Sequence, residues 1–240
     1  MRIGVIGCGT ISSAAVRGIA GDGHEITVSE RGAHHSAVLV ETFDNVRAAD
    51  NQTVVDSSEV LFLGMVAEVA QAVLSDLRFR KDQKVITFMA GLSLDEVAAL
   101  VRPARAVAIM MPFPGIAQGG TPIMMHGDTA LVTKLFGHRN NIFPVKDAEE
   151  MAAYLCAQSV LSPIVRMVSD AADWLGARVS DKEQGEVFLR ELVASSLSGM
   201  ACAPLIDALN TPGGYNQRLR AHMENHGIGV ALKSGLDDML

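Results

Sequence analysis

Met1-Arg-Ile-Gly-Val-Ile-Gly7-Cys-Gly9-Thr-Ile-Ser12 opens the chain, and the order of residue types in it decides the fold. Ile3, Val5 and Ile6 form a short apolar strand that starts almost at the first residue. It ends in Gly7-Cys8-Gly9, and the stretch from Ser12 to Ala20 reads as a helix. Strand, tight glycine turn and helix make the phosphate-binding corner of a dinucleotide fold. Gly7 permits the turn. Gly9 lets backbone N–H groups approach a pyrophosphate with no Cβ in the way. The helix start at Thr10 and Ile11 adds partial positive charge. The third position of the fingerprint is Ser12, still small enough for close helix–strand packing. A bare glycine pair of this kind also occurs as an incidental turn; its position directly after a strand favours the nucleotide reading.

Working outward, strand-like and helix-like segments alternate as far as residue 147. Glu25–Ser29 is a second strand and Ala33–Thr42 a helix. Val46–Ala49 reads as a short third strand. Val60–Met65 is a continuous apolar run, as in a strand covered on both faces. Val66–Leu77 follows as an amphipathic helix. Lys84–Met89 is another buried strand. Leu94–Val101 is a helix opened by Ser93 with Glu96 three residues on, a capping box. Ala106–Met110, Pro122–Met125 and Asn141–Val145 complete the strands. The expected fold class is α/β, a Rossmann-type doubly wound parallel sheet over residues 1–147. From 148 to 240 no strand signal remains, and long apolar periodicities predict an all-helical domain for substrate binding and dimerisation. Its helices cover Leu155–Leu175, Asp181–Leu197, Ala201–Ala208, Tyr215–Glu224 and Val230–Met239, with a break at Asn210–Gly214.

The totals set limits. A net charge of −7 argues against a nucleic-acid partner. No uninterrupted apolar run reaches the roughly 18–20 residues of a membrane span, so neither a membrane anchor nor a signal peptide is expected. The three cysteines, Cys8, Cys156 and Cys202, are odd in number and far apart. They read as reduced thiols of a cytoplasmic protein. Twelve methionines and few aromatics suit helix packing, including packing across a subunit interface.

Four stretches spread over nearly the whole chain resemble the pyrroline-5-carboxylate reductases. They are Ile3–Gly9; Asp56–Leu63 with Asn51 before it; Ala90-Gly-Leu-Ser-Leu94 leading to Met111-Pro112; and Thr211-Pro-Gly-Gly214, followed by a helix, Gly227 and a last short helix. The resemblance implies an NAD(P)H-dependent oxidoreductase that reduces the C=N bond of 1-pyrroline-5-carboxylate in proline biosynthesis. It also implies interlocked helical domains, hence a homodimer or an assembly of dimers. By resemblance, the nicotinamide lies near Met65, Ala90 and Met111, Val66 and Gly91 also belong to the cofactor site, and Asn51 touches the adenosine ribose. Gly213 and Gly214 offer N–H groups to the substrate carboxylate. Asn216 is the candidate catalytic residue, standing where the family has a threonine that faces the substrate. Tyr215 is a substrate-pocket wall or an interface residue. The chain departs from the family pattern at Val66-Ala67 (Lys-Pro in the family) and at Met111-Pro-Phe-Pro114, one residue shorter than Met-Pro-Asn-Thr-Pro.

Hydride transfer needs little acid–base machinery, because the cofactor supplies the reactive group and the site orients and dries it. No His–Asp or Lys–Tyr constellation stands out, which fits. Cofactor choice turns on Ser29-Glu30-Arg31 after the second strand. Glu30 suits the ribose 2′-OH of NAD, whereas Ser29 and Arg31 suit the 2′-phosphate of NADP. NADP is expected, with NAD still open. His34-His35 reads as an exposed helix start near the adenine phosphate. His222 and His226 have helical metal-ligand spacing but no third ligand, so no metal is expected. Cys8 is the variable position of the turn, open to alkylation only if its thiol is exposed. Two rivals remain. A β-hydroxyacid dehydrogenase would need a catalytic lysine, and Lys182 and Lys233 sit in no convincing motif. A non-catalytic dinucleotide-binding regulator would account for Val66 and the altered 111–115 loop.

Overall fold

The computed structural model describes all 240 residues, which form two compact units, Met1–Met151 and Ala152–Leu240. The first is an eight-stranded sheet with helices on both faces. Its strands are β1 (Arg2–Ile6), β2 (Glu25–Ser29), β3 (Val46–Ala49), β4 (Val60–Leu63), β5 (Lys84–Thr87), β6 (Arg105–Met111), β7 (Pro122–Gly127) and β8 (Asn141–Pro144). Their order is β3-β2-β1-β4-β5-β6-β7-β8. The order reverses between β1 and β4, and that switch point is where open α/β sheets bind ligands. The helices of this unit are α1 (Thr10–Ile19), α2 (Ala33–Thr42), α3 (Asn51–Ser57), α4 (Ala67–Leu74), α5 (Leu94–Leu100) and α6 (Thr129–Phe136).

β1 shows why both faces must be covered. Ile3 and Val5 belong to one apolar core, and Ile6, on the opposite face, to the other. Phe62 joins the first core, and its neighbours Leu61 and Leu63 join the second. Gly4 brings α3 close: a Cβ there would lie 2.7 Å from Leu61 Cδ2 and 2.8 Å from Val54 Cγ1. α3 itself was not expected from the sequence. Its signal is Asp50, whose side chain accepts the N–H groups of Gln52 and Thr53, both at 3.0 Å. α6 was missed in the same way and opens on Asp128, which accepts the Leu131 N–H at 3.0 Å.

The sheet is not wholly parallel. β7 runs antiparallel to β6, and β8 returns to run parallel to β7. The connection over residues 112–121 is shorter than the dozen or so residues a parallel crossover requires. A single helical turn at Pro114–Ala117 and the left-handed pair Gly119 and Gly120 fold it back instead. The expected capping box is present, with Ser93 and Glu96 bonding reciprocally.

The division between units falls inside α7 (Ala148–Ala157), just past the change of pattern at 147/148. The second unit continues with α8 (Leu161–Gly176), α9 (Lys182–Gly199), α10 (Cys202–Ala208), α11 (Tyr215–Asn225) and α12 (Ile228–Asp237). α8 and α9 pair closely because Gly185 lets Leu175 approach; a Cβ on it would stand 3.1 Å from Leu175 Cδ2. With the short turn Gln158–Val160 between them, α7 and α8 form a 29-residue helical run with a window of mean hydropathy 1.3. By length and composition alone that run could cross a membrane. Its largely unburied apolar side chains include Leu161, Val165 and Trp174.

Candidate functional site

A cleft of about 340 Å³ opens at the C-terminal ends of β1 and β4. Its floor is the glycine turn. Gly7 has φ +88°, and a Cβ on it would meet the Gly64 carbonyl at 2.9 Å. A Cβ on Gly64 would fall onto Ser12 Oγ and lie 2.8 Å from Gly7 O. The ends of β1 and β4 therefore pass backbone against backbone, and Ser12 fills the seam. Its buried hydroxyl has no hydrogen-bond partner. Gly32, at φ +93°, approaches Cys8 O so closely that no side chain fits between them.

Gly9 is the exception among these glycines. No atom beyond Gly9 itself and its chain neighbours lies within 4 Å of the position of its missing Cβ, so the space above it is open. Gly9 caps α1, and the Ser13 N–H is the first to return to its carbonyl, at 2.9 Å. The amides of Thr10 and Ile11 at the helix start have no partner within the helix. An open cradle edged by free N–H groups fits a pyrophosphate.

The walls distinguish among the residues singled out in the sequence. Gly7, Gly9, Arg31, Asn51, Met65 and Val66 all line the cleft. Ser29 does not. It is fully buried, and its Oγ accepts the Gly7 N–H at 3.0 Å. Ser29 therefore holds the turn and has no hydroxyl free for a phosphate. Glu30 is exposed outside the cleft, and its N–H donates to Ala49 O at 3.1 Å. Ala90 and Gly91 lie beyond the cleft in the exposed turn after β5. Met111 is mostly buried where β6 pairs with β7, opposite Met124, and offers little surface to a substrate within this unit.

Sequence reasoning missed other lining groups. Gly32, Gly64, Val69 and Val73 complete the wall; His35, expected from the sequence to lie near the adenine phosphate, faces in as well. The valines form one turn-spaced face with Val66 at the start of α4, a periodicity visible in the sequence. Val66 is 63% exposed and makes this wall apolar. Cys8 is buried, and burial pushes its thiol pKa up, opposed by a Ser36 hydrogen bond and by Arg17. Its alkylation in the folded protein is therefore not expected.

In the second unit, both glycine amides of the 211–216 turn have intramolecular partners. Gly213 donates its N–H to Gln217 Oε1 at 3.3 Å, and Gly214 donates to Thr211 O at 2.9 Å. A carboxylate would have to displace Gln217 or Thr211 to reach either amide. The unpaired donors are one step further on, at Tyr215, Asn216 and Gln217 in the first turn of α11, since Arg218 already bonds to Gly214 O. Tyr215 is 90% exposed and Asn216 is exposed. His222 and His226 stack at 4.3 Å, and no group of three metal-ligating side chains forms.

Residues 2–91, from β1 to the turn after β5, match the family model described as NADP oxidoreductase coenzyme F420-dependent. No curated protein sequence matches the chain. Among solved structures it is similar to 1-pyrroline-5-carboxylate reductase from Streptococcus pyogenes, with TM-score 0.84 and 20% identity over 100% of this chain and 96% of that one. It is also similar to the NADP-bound pyrroline carboxylate reductase of Plasmodium falciparum, with TM-score 0.82 and 13% identity over 100% and 95% of the chains. The fold is that of the pyrroline-5-carboxylate reductases. An imine reductase from Pseudomonas sp. is less alike, with TM-score 0.63 and 17% identity over 98% of this chain and 87% of that one.

Proposed function

We propose that this protein is an NADPH-dependent reductase acting on the C=N bond of a cyclic imino acid, 1-pyrroline-5-carboxylate in the first instance, and that it works as a homodimer. The observation that carries the reading is the open glycine cradle at the sheet's switch point, with Arg31 beside it and Glu30 outside. The likeness in fold to reductases of pyrroline carboxylate and of imines supports C=N as the acceptor. When bound, a reduced nicotinamide supplies the hydride. Gly9 and the first amides of α1 hold the pyrophosphate, and Val66, Val69 and Val73 flank the adenosine. Arg31 selects the 2′-phosphate. On the substrate side, the free amides of Tyr215, Asn216 and Gln217 replace those of Gly213 and Gly214 as carboxylate donors. The Asn216 side chain is left to orient the imine. A protonated cyclic imine needs no strong general acid from the protein.

Dimerisation through the helical unit is supported by its uncovered apolar side chains, among them Val165, Trp174, Phe188, Leu219 and Val230. Three free cysteines support a cytoplasmic location.

The test follows the absorbance of NADPH and of NADH with 1-pyrroline-5-carboxylate and with the six-membered 1-piperideine carboxylates. Turnover of the five-membered imine is the expected result. Dinucleotide binding with no turnover of any cyclic imine would refute the reductase reading. It would favour a binding protein, the alternative suggested by Val66 in place of lysine.

A further inference from the structure

Four residues beyond Arg31, His35 turns into the same cleft. It is the third residue of α2, whose cap, Gly32, also lines the cleft. The backbone that carries it is fixed at two points. Gly32 abuts Cys8 O in the glycine turn, and Ser36 Oγ donates to Ser29 O at 2.7 Å. Arg31 and His35 thus form one polar corner of the cleft, and the Val66, Val69 and Val73 wall is apolar. Glu30, the side chain that would repel a phosphate, is outside.

We propose that His35 is a specificity-determining residue: with Arg31 it cradles a ribose 2′-phosphate, so the preference for the phosphorylated dinucleotide varies with pH. The inference rests on the dinucleotide reading of the cleft. An imidazole changes charge between pH 5 and 8, and a phosphate monoester takes its second charge near pH 6. Where both are ionised, a charge-assisted hydrogen bond joins them, roughly twice as strong as a neutral one. A neutral imidazole offers only the ordinary, weaker bond. The other titratable or charged groups near the corner are Arg31 in the loop, His34 beside it on α2 with ring centres 5.7 Å apart, and the buried Cys8 thiol from the β1 turn. Asn51, from α3, is uncharged. Asp50, which precedes it, has its carboxylate turned to the Gln52 and Thr53 amides. His34 is exposed and outside the lining, which makes it a control.

The experiment measures dissociation constants of NADP⁺, NAD⁺ and 2′,5′-ADP for the full chain by calorimetry, at about pH 6.5 and about pH 8.5. Wild type, His35→Gln and His34→Gln are compared. The phosphate's own titration is common to all three and cancels in the comparison. The expected result is a loss of about tenfold or more in NADP⁺ and 2′,5′-ADP affinity for His35→Gln at the lower pH. That loss narrows at the higher pH, with NAD⁺ affinity unchanged and His34→Gln like wild type. Unchanged NADP⁺ binding in His35→Gln would overturn the proposal and leave the dinucleotide site standing. Wild type that binds neither dinucleotide would overturn both. If His35→Gln fails to fold, His35→Asn replaces it in the same comparison with wild type and His34→Gln, and NADP⁺ binding unchanged in it overturns the proposal.

Discussion

Ser29→Ala separates a side chain that touches the cofactor from one that builds the site. In the folded protein the Ser29 hydroxyl is consumed within the turn, accepting the Gly7 N–H at 3.0 Å from a fully buried position. Alanine fits the space but leaves the Gly7 donor without a partner. A buried unsatisfied donor costs about 1–3 kcal/mol, and because Gly7 is only half-buried the lower half of that range applies, about 1–2 kcal/mol. For a unit of this size each kcal/mol lowers Tm by about 2–4 °C, so a fall of roughly 2–8 °C is expected. The turn also shapes the pyrophosphate cradle, so NAD⁺ and NADP⁺ should lose affinity by the same factor. Thermal unfolding followed by circular dichroism and calorimetric titration of both dinucleotides make the assay. A variant with wild-type Tm and a selective loss of NADP⁺ binding would refute the reasoning, because it would mean that Ser29 contacts the 2′-phosphate.

Gly9→Ala should fold with Tm within about 2 °C of wild type, since its backbone suits any residue and no atom beyond its chain neighbours lies within 4 Å of the new Cβ. It should nonetheless lose dinucleotide affinity by about tenfold or more, read by titration, because the methyl enters the cradle. Gly64→Ala should destabilise by about 1–3 kcal/mol in urea unfolding. Adding Ser12→Gly should recover only part of this, because the clash with Gly7 O, 2.8 Å from the new Cβ, remains; full recovery would show that the seam is looser than described. The Glu96 carboxyl is held below its usual pKa first by the Ser93 hydroxyl and then by the Ser93 N–H. A depressed folded-state pKa stabilises above the ordinary carboxylate range, and the benefit is lost as pH falls below about 4. Ser93→Ala should therefore raise the Glu96 midpoint in a carbon-detected NMR titration, and an unmoved midpoint would argue against the capping box.

Much of the framework is legible in the chain because its signals are local. The β1–turn–α1 corner, the Ser93–Glu96 box and the break at Thr211–Gly214 each depend on neighbours a few residues apart. α3 and α6 are as local, and their Asp50 and Asp128 caps were there to be read. Each is short, and its apolar periodicity spans barely two turns. The reversal at β7 was legible in the length of the 112–121 connection, once β6 and β7 are known to be neighbours.

The sequence by itself determined where most strands and helices fall, that a glycine corner for phosphates opens the chain, and that a helical unit follows. Only the tertiary structure decided which polar groups remain available. Ser29 and Gly7 are 22 residues apart, and no local pattern tells that the hydroxyl of one is spent on the amide of the other. His35 likewise lines the cleft on a helix whose cap, Gly32, packs on Cys8 O from a distant part of the chain. Whether a donor or acceptor is free depends on what the fold brings within about 3 Å of it, whereas strand and helix preferences depend on the residue and its immediate neighbours.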